Sequence, residues 1–187
     1  LLAATGAHER VVPFPGWTLP GVIGLAAATV LLKSHGVVPA SPVIVAGCGP
    51  LLAAVAAGLI KAGGRVAAVV DLAGPGEWLR ASPKLLTRPA LMAQGLGWVA
   101  RIAGAGVPIL FRHGVREAEG DGQIRTVVVG PVDATGAPTD GRQTRYAVAA
   151  LVVGDGLVPG AEVPRLFRAA MHYDRTLGGH VPVLDAE

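Results

Sequence analysis

Two glycines and one carboxylate are the residues of this sequence best placed to do chemistry. Gly47 and Gly49 follow the apolar run Pro42–Ala46, and Asp71 stands 24 residues beyond Gly47 at the end of a second apolar run. Glycines at this spacing let a chain leave a strand sharply and let a pyrophosphate approach the backbone, because no Cβ stands in the way. Pro50 and Leu51 then open an alanine-rich stretch, whose first-turn N–H groups and positive dipole end would face the phosphates. A carboxylate closing the next strand can accept a hydrogen bond from a ribose 2′-OH. Leu52 occupies the position where the pattern prefers Gly or Ala. Ala53 and Ala54 are small, so close helix–strand packing survives with a slight shift. The bland reading is a glycine turn between an ordinary strand and helix. The strand before, the helix after and the acid at the right distance favour a nucleotide.

Other chemistry is poorly supported. Cys48 is the one cysteine, which excludes an internal disulfide framework, a thiolate metal cluster and a two-cysteine redox centre within the chain. It lies inside the glycine turn, where a small tolerated side chain is the simpler reading, although a helix N-terminus can lower a thiol pKa. His8, His35, His113, His172 and His180 show no metal-ligand spacing, so no metal site is assigned. His172-Tyr173-Asp174 would be an acid–base cluster only if neighbouring side chains converged, and on a helix they diverge. Trp17, Trp78 and Trp98 read as packing residues. No catalytic residue can be named. In a cofactor enzyme that is unsurprising, because the cofactor carries the reaction and the protein positions it.

The elements that must hold these residues follow from the apolar periodicity. The region 42–71 reads strand, glycine turn, helix, strand. Leu1–Gly6 reads as a short strand, Val11–Gly21 as a Pro- and Gly-rich crossing, and Val22–His35 as a helix stopping at Gly36. Leu85–Ala105 reads as one helix or two, and Val107–His113 as a third parallel strand. From Gly114 the period changes. Val115–Ala118, Gln123–Val132 and Thr144–Val153 read as three antiparallel strands separated by Gly/Asp turns. Ala161–Met171 reads as a helix, followed by a turn-rich end. At 187 residues, 51% hydrophobic and 16% charged, the chain can bury a full core, and buried parallel strands would explain so apolar a composition. A net charge of +3 spread along the chain, with 4% aromatics, does not argue for nucleic acid. The longest apolar runs are too short to span a membrane. The first residues carry no basic stretch and Leu1 opens within a strand-like run, so the sequence is expected to be a piece of a longer chain.

The flanks of the glycine unit carry a resemblance. Leu2-Ala-Ala-Thr-Gly-Ala7, Glu9-Arg10, Pro13-Phe-Pro-Gly-Trp17 and Leu19-Pro-Gly21 resemble the passage out of the flavin domain in FAD/NAD(P)-binding oxidoreductases of the pyridine-nucleotide class. Leu151-Val-Val-Gly-Asp-Gly-Leu-Val-Pro159 resembles the return crossing. Phe14–Val22, Leu32–Pro39, Gly49–Leu52, Gly156–Pro159 and Tyr173–Gly179 are similar to one subgroup, the A or alpha subunits of opine oxidases, hydroxyproline dehydrogenase and hydrogen cyanide synthase.

The resemblance implies an α/β fold: a Rossmann-like parallel sheet with a three-stranded antiparallel meander, flanked by pieces of an incomplete FAD domain. It implies residues 1–20 as the end of the FAD portion, 21–150 as the NAD(P)-binding domain, and 151–187 as the return crossing and a second FAD portion. Thr5 and Gly6 would lie near the FAD adenosine, and Gly47, Gly49, Pro50, Leu51 and Asp71 at the NAD site; Arg10 is a weaker cofactor candidate. The first FAD glycine motif and the later Ala-Gly-Asp segment are missing from the sequence. Asp155 is not that aspartate, because it sits at the return crossing. The full-length parent would use FAD to oxidise the C–N bond of an amino acid, imino acid or opine, with a second subunit or an iron–sulfur partner taking the electrons. Its setting would be cytoplasmic, with membrane association only through partners. Two alternatives stay open: an NADH-dependent flavoprotein reductase passing electrons to a protein, and an assembly domain with a vestigial nucleotide site. Asp71 favours NAD over NADP, because Leu72–Gly76 offers no arginine for a 2′-phosphate and Arg80 is nine positions on.

Overall fold

The computed structural model describes residues 5–77 and 88–183, in two compact units. One is continuous, Val12–Gly154; the other joins Leu1–Val11 to Asp155–Glu187. The chain therefore passes between units at Val11/Val12 and Gly154/Asp155. Trp78 and Arg80 lie outside the described residues, as do residues 1–4 of the expected first strand and residues 85–87 of the expected helix.

Strand β1 (Ala7–Glu9) belongs to the discontinuous unit. In the continuous unit, β2 (Val22–Gly24), β3 (Val43–Gly47), β4 (Val66–Asp71), β5 (Ile109–Phe111) and β9 (Ala150–Gly154) form one sheet in the order β2-β9-β3-β4-β5. Every neighbouring pair is parallel. Helices α1 (Leu25–His35), α2 (Pro50–Lys61) and α3 (Pro89–Gly104) lie between β2 and β3, β3 and β4, and β4 and β5 in the chain. A separate antiparallel sheet holds β6 (His113–Gly120), β7 (Ile124–Pro131) and β8 (Thr144–Ala147).

Side-chain alternation along the parallel strands divides the core into two layers. Val43, Val45, Val69, Ala150 and Val152 pack with Leu52, Ala56, Leu59 and Ile102 of the helices. Ile44, Ala46, Ala68, Val70 and Leu151 face the other way and pack with Ile124, Val127 and Val129 of the antiparallel sheet. All five residues of β3 are buried, as expected of a strand covered on both faces. Small residues let the helices approach: a Cβ at Gly58 of α2 would lie 3.0 Å from Leu32 of α1.

The structure corrects three sequence readings in this unit. Thr144–Val153 is not one strand. It breaks at Val148–Ala149, where Val148 donates its N–H to the Arg125 carbonyl and Ala149 donates to that of Pro42. The first half stays in the antiparallel sheet, and the buried second half becomes β9, inserted between β2 and β3. Val22–His35 is not all helix. Val22 and Ile23 are β-branched and pair with β9, and the helix starts at Leu25. The Pro-rich segment before β2 is more than a linker. Ala118 donates its N–H to Pro15, Ile124 donates to Pro20, and Phe14 and Leu19 join the second core layer.

In the discontinuous unit, β1 pairs with β10 (Leu157–Pro159), and β11 (Met171–Asp174) pairs with β12 (Gly179–Pro182), both antiparallel. The expected Ala161–Met171 helix shrinks to α4 (Glu162–Leu166), followed by Arg168 at φ 56°. The turn-rich end contains β12. His172-Tyr173-Asp174 lies on a strand, not a helix. Asp174 accepts the N–H groups of Thr176 and Leu177 at 2.7 and 3.1 Å, which closes the turn and lowers its carboxyl pKa. Trp98 packs against the helical layer, whereas Trp17 is 43% exposed and does not serve as a core residue.

Candidate functional site

The carboxyl ends of the parallel strands meet in register at one edge. Gly47 of β3 aligns with Gly154 of β9 and with Asp71 of β4, and Asp71 aligns with Phe111 of β5. In an open parallel sheet this edge is where ligands bind.

Gly47 and Gly49 do different work here. Gly47 has φ 139°, and a Cβ on it would lie 2.0 Å from the Gly154 carbonyl oxygen. That same oxygen accepts the Cys48 N–H at 3.0 Å. Gly47 is thus required for the close approach of β9 to β3. Gly49 has φ 90° and ψ 174°, yet its missing Cβ would meet no atom within 4 Å. The open space beside Gly49 is the room that a phosphate needs.

Helix α2 starts immediately after Gly49. Pro50 stands in its first turn, where the missing N–H costs nothing. No side chain caps the turn and no acidic residue lies in it, so the positive end of the helix dipole is unopposed there. Leu51 is 51% exposed at this opening, while Leu52 is 1% exposed in the helical core layer. The residue at the position that prefers Gly or Ala is therefore a core side chain.

Asp71 is 1% exposed, and its Oδ1 accepts the Ala73 N–H at 2.9 Å. The carboxylate thereby shapes the loop that follows β4. That loop also meets Arg112, the residue between β5 and β6. Arg112 donates its N–H to Ala73 and pairs through Nη2 with Glu77 Oε1 at 2.5 Å. Glu77 Oε2 accepts the Gly74 N–H at 3.1 Å. Nothing in the sequence along 72–76 marks this arginine as a neighbour, because it reaches the loop from the junction of β5 and β6, 36 residues after Gly76.

In the discontinuous unit, Thr5 donates its hydroxyl to the Gly160 carbonyl at 2.5 Å, and Gly160 donates its N–H to Gly6 at 2.9 Å. Both residues stand at the start of the β1–β10 ladder, with Gly6 at φ 67°. Arg10, Asp155, Gly156, Tyr173 and Arg175 line a pocket of about 390 Å³ in the same unit. Burial pushes the Asp155 carboxyl pKa up, and Arg10 opposes the shift. Among the described residues, no group of His, Cys, Asp and Glu is gathered to hold a metal ion.

No family model matches the chain. The chain is similar to hydrogen cyanide synthase subunit HcnB of Pseudomonas aeruginosa, at 41% identity over 87% of this chain and 35% of that subunit. It is similar to the opine oxidase A subunit of Rhizobium meliloti, at 33% identity over 99% of this chain and 40% of that subunit. It thus spans well under half the length of these relatives. Its fold is similar to that of part of a bacillithiol disulfide reductase from Staphylococcus aureus, with a TM-score of 0.62 at 16% identity over 97% of this chain and 47% of the reductase.

Proposed function

We propose, for a chain homologous to hydrogen cyanide synthase subunit HcnB and to the opine oxidase A subunit, that it is the nucleotide-binding part of a flavin-dependent oxidoreductase. The parent would act on the C–N bond of an amino acid, imino acid or opine. The observation that carries the reading is the homology across nearly the whole chain. The strand edge adds to it, because the open space beside Gly49, its positive φ and the uncapped start of α2 fit a pyrophosphate.

In this reading an NAD(H) lies across the edge. Gly49, Pro50 and Leu51 frame its phosphates, Gly47 holds β3 against β9, and Asp71 sets the loop on the ribose side. The discontinuous unit supplies pieces of the FAD-binding part, with Thr5 and Gly6 on the adenosine side. The flavin of the full-length parent supplies the electron sink for the oxidised C–N unit. The residues of this chain bind and orient the nucleotide.

Both relatives are named as subunits, so a partner subunit belongs to the proposal. That subunit, or an iron–sulfur partner, would carry the electrons away. Among the described residues, no helix is long and apolar enough to cross a membrane. A cytoplasmic setting, with membrane contact only through partners, completes the reading.

The test is to assay the complete protein with its partner subunits against proline-like amino acids, glycine and opines, using an artificial electron acceptor. Turnover of one of these classes is the expected result. Turnover of none, together with NADH-dependent reduction of a thiol or protein acceptor, would replace the proposal with a reductase. No nucleotide binding and no turnover would leave an assembly domain.

A further inference from the structure

Asp71 is covered, and the next carboxylate along this edge belongs to Glu77, whose side chain is 42% exposed. Its partner Arg112 is 33% exposed. We propose that Glu77 and Arg112, rather than Asp71, read the 2′ position of a nucleotide bound here. Paired, they select a free 2′-hydroxyl; with Glu77 neutralised, Arg112 accepts a 2′-phosphate. The inference rests on the nucleotide reading of the site given above.

Arg112 is held where a ligand of this edge would meet it. It is the single residue joining β5 to β6, beside the strand end that aligns with Asp71. Its φ of 55° is uncommon for a residue with a side chain. Two backbone bonds fix it there: its N–H donates to Ala73 at 3.2 Å, and its carbonyl accepts the Val132 N–H at 2.8 Å. The guanidinium lies against the loop after β4. A Cβ on Gly74 would stand 2.8 Å from Nε and 3.4 Å from both Cζ and Nη2. Nη1 donates to the Asp133 carbonyl at 3.3 Å, which steadies the group from the other side.

Chemistry gives the pair its selectivity. A guanidinium fork matches phosphate oxygens well, so an arginine at this place would ordinarily attract a 2′-phosphate. Here Glu77 already occupies Nη2 and would repel a dianionic phosphate. A ribose 2′-hydroxyl carries no charge and can donate to the carboxylate. The pair is partly exposed and so only weakly held. A ligand or a substitution can therefore change its state without unfolding the loop. An ion pair that merely fastens the 72–77 loop would behave differently. Breaking it would weaken every nucleotide equally and leave their ratio unchanged.

The experiment is calorimetric titration of the 187-residue chain with NAD+ and NADP+. Wild type, Glu77→Gln and Glu77→Gln/Arg112→Gln are compared, with thermal melts as the control for folding. Wild type should prefer NAD+. Glu77→Gln should tighten NADP+ about tenfold and change NAD+ less than about twofold, and the double substitution should abolish that gain. An unchanged NADP+/NAD+ ratio in a folded Glu77→Gln protein would overturn the inference while leaving the nucleotide site intact. If Glu77→Gln does not fold, Arg112→Gln carries the test: the carboxylate of Glu77, left without its counter-charge, should weaken NADP+ at least about tenfold relative to NAD+, and an unchanged ratio would overturn the inference. A wild-type protein that binds neither nucleotide would overturn the site reading and the inference together.

Discussion

At the scale of the residue, the two glycines of the strand-end turn are separable by substitution. An alanine at Gly47 would drive its Cβ to 2.0 Å from the Gly154 carbonyl oxygen, a backbone atom that cannot swing aside. Gly47→Ala is expected to cost more than about 4 kcal/mol, in the class of changes that disrupt a core. Gly49→Ala meets no atom within 4 Å, so only the strain of a side chain at φ 90° remains. That strain is of order 1–3 kcal/mol, and the fold should survive it. The new methyl would stand in the phosphate space, so nucleotide affinity should fall at least about tenfold. Denaturant unfolding and nucleotide titration on both variants check the pair. A stable Gly47→Ala protein, or a Gly49→Ala protein that binds as well as wild type, would contradict the assignment. The spacing of Gly47, Gly49 and Asp71 was legible in the sequence because local turn chemistry is written in consecutive residues. The burial of Asp71 and the arrival of Arg112 were not, since both depend on strands brought together across the sheet.

At the scale of the element, helix α2 combines an open, uncapped start with a core-filling body. Leu52 stands one turn from Gly49 and is almost fully buried. A small residue in its place would match the usual phosphate-binding pattern more closely, but in this protein it would leave a void. Leu52→Ala is expected to lose about 2–5 kcal/mol, the range for a buried leucine that leaves a cavity. Its affinity for nucleotide should not rise, which unfolding and titration can establish on the same sample. The sequence made β3, α2 and β4 readable because each has a single clean period. It made β9 hard to read because Thr144–Val153 runs on without a glycine or proline to mark the break. The signal that was present is compositional. Thr144–Ala147 alternates with polar residues, while Ala150–Gly154 is a continuous apolar run of the kind that parallel strands require. The short β2 was lost for a related reason, since Val22 and Ile23 merge into an apolar helix with no polar residue between them.

At the scale of the whole molecule, the two units differ in how much core they own. The continuous unit has a parallel sheet covered on both faces, with buried clusters on each side. Among its described residues the discontinuous unit has two short antiparallel pairs and a five-residue helix, and it leaves Leu166 and Phe167 at 82% and 62% exposure. A nucleotide site confined to the continuous unit needs nothing from its neighbour. Of the three flavin anchor segments that the family resemblance leads one to expect, these 187 residues carry only Thr5–Gly6. The purified 187-residue chain should therefore be colourless, with no flavin absorbance, and should still show a higher melting temperature when NADH is added. Ligand that binds only the folded state stabilises it by about 2.7 kcal/mol at a hundredfold excess over Kd, enough to read in a thermal scan. Stoichiometric flavin in the preparation would place the flavin-binding elements within these residues. A colourless protein that NADH does not stabilise would place the working nucleotide site outside them.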